Sequence, residues 1–176
     1  MILNYYFNKE FDFISSLELL DFLNNCVMME NEGVYPSVNI YLNSPGGSFS
    51  EYLLIKDMIE NSPLDITLIG NHELSSATFL LFYFTDNVNK RILQGTFALL
   101  HTLDHSFSDR SRRNLDDYSV KMPKNLDDLN QVYHDYFKEY KVLNTIQLKK
   151  YMKGEDIILL EDELNKIMKN CIFKKT

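Results

Sequence analysis

The chain has 176 residues, of which 45% are apolar and 24% charged, with a formal net charge of −7; that bounds it to one domain, 1–176, of ordinary globular make-up with enough chain to bury a sizeable core. The acidic balance argues against nucleic acid and anionic membrane as partners, since both need a basic face. Cys26 and Cys171 stand far apart and outside any Cys/His cluster, so the pattern offers no metal site, and both read as buried free thiols of a reducing compartment.

The opening "MILNYYF" reads as a strand. It has no basic start and no long apolar core, so it is not a signal peptide. "SSLELLDFLNNCVMMENE" begins on serine and spaces Leu17, Leu20, Leu23 and Val27 at a helical period. "SVNIYLN" (37–43) is strand-like and runs into the breaker cluster "SPGG". A second helix follows at 50–62, then a strand "LDITLIG" (64–70) that is expected to stop at Gly70. "SSATFLLFYF" is a third helix, and its run "FLLFYF" (79–84) is far too short to cross a bilayer. The expected compartment is the cytoplasm. "KRILQ" and "TFALLH" (96–101) are short strands.

Residues 1–101 therefore alternate strand and helix, the signature of an α/β fold with a largely parallel sheet. Ligands in such sheets sit beyond the carboxyl ends of the strands. "NSPGG", "GNHELSS" and His101 all fall there. Beyond His101 the texture changes: 104–125 is polar, charged and weakly periodic, and reads as a long loop. A long amphipathic helix follows over 126–143, with Leu126, Leu129, Val132, Tyr133, Tyr136, Phe137 and Tyr140 in a stripe. That stripe fits core packing or an interface equally well. "TIQLKKYMKG" closes on Gly154, and "EDELNKIMKN" is the last helix.

Each candidate site residue has two readings. The glycines of "NSPGGS" (43–48) either make a simple strand-to-helix turn or let the backbone approach a ligand. A phosphate loop is disfavoured, because the GxxxxGK[ST] pattern is absent. Ser75 and Ser76 are N-caps, or one of them is a nucleophile where helix amides face a developing oxyanion. No GxSxG elbow is present. His101 ends an apolar strand, where its ring is aimed, and is structural or catalytic; His72, His105 and His134 lie on polar segments. Asp156, before "IILL", orients an imidazole or simply leads into the last helix.

The order of these pieces resembles the ClpP family, the proteolytic subunits of Clp proteases. "IYLNSPGGSFSEYLLIKDMIENSPLDITLIG", "SSATFLL", "TFALLH" and "GEDIILLEDEL" resemble the family's segments in turn, most strongly over 38–101. The resemblance implies a ClpP/crotonase-like ββα spiral with a long handle helix, and a serine peptidase working inside a homo-oligomeric ring. It implies Ser75 as nucleophile, His101 as base and Asp156 as the imidazole's partner, with the amides of Gly47 and Ser76 as oxyanion hole. It implies peptide or unfolded-protein substrates, no cofactor, and an AAA+ unfoldase as a partner, although the segment before the first strand is short.

The chain also departs from the family. "NHEL" replaces small residues before the serine, with Glu73 near the proposed oxyanion, and the glycine-rich segment after the histidine is missing. These departures motivate an alternative, an inactive paralogue kept as a structural or regulatory subunit. Enoyl-CoA hydratases share the spiral and use oxyanion amides, but the ordered Ser–His–Asp set and the short length argue against that class.

Overall fold

The structure is a computed structural model that describes residues 1–102 and 126–170. The expected loop over 104–125, with His105, and Cys171 lie outside the described residues. The chain divides into two compact units, Met1–Leu100 with Ile158–Thr176, and His101–Ile157.

The first unit is built on a parallel sheet, as the alternation of elements requires. Its elements are β1 (Ile2–Phe7), α1 (Phe13–Asn31), β2 (Ser37–Ser44), α2 (Phe49–Glu60), β3 (Asp65–Ser75), α3 (Ser76–Phe84), β4 (Asn89–Ile92) and β5 (Phe97–Leu100). The strand order is β1-β2-β3-β5-β6, with β4 also on β3; β6 is Ile157–Leu159. β3 is the spine: its first half pairs with β4 and its last three residues with β5, all in parallel. Along β2, Val38, Ile40, Leu42 and Ser44 are buried while their neighbours are half-buried, the period of a strand with one face turned to the core.

α3 is buried along nearly its whole length, from Ser76 to Tyr83, because the sequence gives it no charged residue to hold at a surface. α1 begins at Phe13, two residues ahead of the expected Ser15. Asp12 caps it: the Ser15 amide donates to Asp12 Oδ1 at 2.7 Å, and the Asp12 amide donates back to Ser15 Oγ at 3.0 Å. The Ser15 amide holds the Asp12 carboxyl below the usual range. Cys26 is buried and free. The last helix of the chain, α6 (Glu161–Asn170), also belongs to this unit, and its Glu161 accepts the Gly95 amide at 2.7 Å. No helix among the described residues is long and apolar enough to cross a membrane.

The second unit holds α4 (Leu126–Glu139) and α5 (Thr145–Tyr151). α4 ends four residues before the expected 143. Lys141 takes a left-handed φ of 54° and the Val142 amide returns to the Phe137 carbonyl at 2.8 Å, the bond that closes a helix in a Schellman turn. The aromatic stripe divides: Tyr133 and Phe137 are buried, whereas Val132, Tyr136 and Tyr140 are exposed. Asn144 starts α5 with a reciprocal cap on Gln147. Phe137 meets Tyr151 edge-on, with ring centroids 5.3 Å apart.

Tyr151 is buried and its hydroxyl donates to Asn130 Oδ1 at 3.4 Å. Burial raises its phenol above the ordinary value of 10.0. The folded state then holds this proton more tightly than the unfolded chain. Its contribution is complete below the unfolded value and is lost as pH climbs from there toward the folded value. In urea titrations the unfolding midpoint should fall as pH rises above about 10, and the fall should be shallower in Tyr151→Phe; an identical pH profile would remove Tyr151 as its cause.

Candidate active site

The geometry of the candidate site in the first unit starts with an irregularity in β3. Leu42 pairs with Gly70, but Ser44 pairs with Leu74, so β3 advances four residues while β2 advances two. The strand therefore does not stop at Gly70 as expected; it bulges through Asn71, His72 and Glu73 and continues to Ser75. His72 absorbs the excess with φ at 65°, a left-handed value uncommon in residues with a Cβ. The Glu73 amide donates to Asn43 Oδ1 at 3.1 Å, which ties the bulge to the end of β2. The polar pair after Gly70 was the available signal, since such residues tolerate this conformation better than apolar ones.

Opposite the bulge lies the turn Gly46–Gly47. Their φ values, 102° and 137°, belong to glycine. Phe11, just before α1, clamps this turn from the β1 side. Its amide donates to the Gly46 carbonyl at 2.7 Å, and its carbonyl accepts the Ser48 amide at 2.8 Å. These two bonds make a parallel bridge between Phe11 and Gly47. Gly47 itself makes neither of these bonds; the residues on either side of it do. A Cβ on Gly47 would come within 2.5 Å of the Phe11 nitrogen, and one on Gly46 within 2.6 Å of Ser75 Oγ. Sequence reading did not single out Phe11, because nothing local marks it as the clamp.

Ser75 occupies the N-cap position of α3, with φ −66° and ψ 174°, but its side chain makes no capping bond. The residue is 2% exposed, and among the described residues its Oγ has no hydrogen-bond partner. Buried hydroxyls are ordinarily paired. This one lies against the Gly46–Gly47 turn and beside the amides that open α3, where the helix carries its partial positive charge. Ser76 Oγ instead donates to the Leu99 carbonyl at 3.4 Å. Thr78 donates to the Ser44 carbonyl at 3.0 Å, and Ser44 Oγ accepts the Gly46 amide at 3.1 Å. The turn and the head of α3 are therefore braced by the same residue, Ser44.

His101 and Asp156 belong to the second unit. His101 is half-buried, and its Nδ1 lies 2.8 Å from the Thr102 carbonyl. A carbonyl only accepts, so Nδ1 carries the proton and, in the neutral ring, Nε2 keeps its lone pair. The segments carrying His101 and Asp156 run near each other: a Cβ built on Gly154 would stand 3.7 Å from Thr102 Oγ1. Asp156 itself is exposed and, among the described residues, makes no hydrogen bond or ion pair.

A model of the Clp protease family matches residues 19–160. Similar solved structures include the ClpP protease catalytic domain from Plasmodium falciparum, at 18% identity and a TM-score of 0.60, covering 93% of this chain and 80% of that one. A point mutant of ClpP1 from Listeria monocytogenes matches at 15% identity and a TM-score of 0.58, covering 93% and 86%. At these identities the likeness speaks for the fold. No curated protein sequence matches.

Gly46→Ala puts a methyl group on a left-handed backbone against Ser75 Oγ. Equilibrium unfolding should show a loss of about 1–3 kcal/mol from the strain alone, with the spine of the sheet disturbed at Ser75; an unchanged unfolding midpoint would mean that the turn and the serine yield freely.

Proposed function

We propose that this chain, which belongs to the Clp protease family, is a ClpP-like serine peptidase domain that hydrolyses peptide bonds inside a ring of identical subunits. The observation that carries the reading is Ser75: a buried hydroxyl at a helix start, serving neither as cap nor as hydrogen-bond donor among the described residues. Ser75 Oγ attacks the scissile carbonyl. His101 takes its proton at Nε2 and returns it to the leaving amine. Its Nδ1–H, held by a carbonyl in the described structure, already gives the tautomer that a general base requires. Asp156 takes over that Nδ1–H in the working assembly and stabilises the imidazolium. The Gly47 and Ser76 amides receive the oxyanion; removing one such donor ordinarily lowers the rate by about 10²–10³.

The exposed residues of the α4 stripe, Val132, Tyr136 and Tyr140, support assembly with further copies through this helix. The substrates are peptides or unfolded proteins, an AAA+ unfoldase is the partner class such a ring takes, and the cytoplasm is its compartment. The chemistry assigned to these side chains needs no cofactor or metal.

One observation favours the second reading, an inactive paralogue serving as a structural or regulatory subunit: Asp156 is exposed and bonded to nothing among the described residues. A fluorophosphonate probe separates the two. The assembled wild-type protein should be labelled at Ser75, while Ser75→Ala takes no label and His101→Ala reacts slower by several orders of magnitude. A folded, assembled wild type that takes no label would establish the inactive reading.

A further inference from the structure

Beside Ser75 the sheet presents a small face of mixed character. β3 and β5 pair with Glu73 opposite Phe97, Leu74 opposite Ala98 and Ser75 opposite Leu99. Alternation along each strand sends Glu73 and Ser75 to one face with Phe97 and Leu99. Leu74 and Ala98 go to the other face and are fully buried. Glu73, Phe97 and Leu99 are each half-buried. Neighbouring strands lie about 5 Å apart, and residues two apart on one strand about 7 Å. Glu73 therefore stands within one substrate side chain's reach of the serine, with an aromatic ring across from it. Only its backbone is engaged, through Asn43. Among the described residues its carboxylate makes no hydrogen bond or ion pair.

A half-buried carboxylate without a partner, set beside a phenyl ring and a leucine, matches one kind of side chain. Lys and Arg carry an apolar stem that lies along such surfaces and a cationic tip that meets the anion. An acidic side chain in the same place meets a like charge, which discriminates against it. We propose that Glu73 is a specificity-determining residue, and that this site takes peptides bearing Lys or Arg next to the scissile bond. The inference rests on the peptidase reading of Ser75. Glu73 does not touch the reacting atoms; it acts by holding the substrate's flanking side chain.

Internally quenched peptides that differ only in carrying Lys, norleucine or Glu beside the cleaved bond test it, with cleavage positions mapped by mass spectrometry. Wild type should cleave the Lys peptide with kcat/KM about tenfold or more above the Glu peptide. Glu73→Gln should collapse that ratio, and Glu73→Lys should invert it. Each ratio is taken within one preparation, so a partial loss of folded protein cancels; if Glu73→Lys does not fold, the isosteric Gln variant decides. A wild type that takes the fluorophosphonate label but keeps its Lys:Glu ratio within twofold in Glu73→Gln overturns this inference alone. A wild type that takes no label overturns the peptidase reading, and this inference with it.

Discussion

The close approach of three pieces of backbone, at Phe11, Gly46–Gly47 and Ser75, is the constraint around which the first unit is arranged. Phe11 grips both sides of the glycine turn, and the far side of Gly46 lies against the serine hydroxyl. No side chain fits at either glycine without moving one of its neighbours. The bonds to Phe11 are made by the residues on either side of Gly47, Gly46 and Ser48. β3 has to reach past its partner to bring Ser75 to this place, and the bulge at His72 supplies the length.

Two charge effects meet at the start of α3. The helix end favours negative charge there by a few tenths to about 1 kcal/mol when exposed, and more when partly buried. Glu73 sits two residues earlier on the same face of β3 and opposes it. A carboxylate at such a distance acts through a medium of intermediate polarity, so its influence depends on what lies beside it. A bound cation on Glu73 changes its sign, from repelling an oxyanion to forming a neutral pair next to it. On the peptidase reading, substrate chemistry and nucleophile electrostatics are coupled in this way through one side chain.

Much of this was legible along the chain. The period-2 pattern of "SVNIYLN" and the nearly all-apolar "ATFLLFYF" declared a strand and a helix, because burial on one face or all round writes itself into composition. "SPGG" announced the turn. What escaped were features set by distant partners. Gly70 looked like the end of β3, yet β5 and Asn43 carry that strand on to Ser75. Ser75, taken alone, looked more like a cap than a nucleophile, and its missing cap bond counts against the cap. Phe11 as clamp, and the division of the α4 stripe into buried Tyr133 and Phe137 and exposed Tyr136 and Tyr140, depend on contacts that no local window contains. Asp156 had two readings from its place before "IILL", and only the family resemblance chose between them for one carboxylate among 25 acidic residues.

The idle hydroxyl of Ser75 has a further consequence for the scaffold. A serine in that position ordinarily contributes about 1 kcal/mol to the helix it opens, and here that contribution is forgone. On the peptidase reading proposed above, the oxygen adds reactivity without adding rigidity. On that reading, removing the oxygen costs the helix no cap bond, so a Ser75→Ala form would hold, uncut, whatever the wild type cleaves.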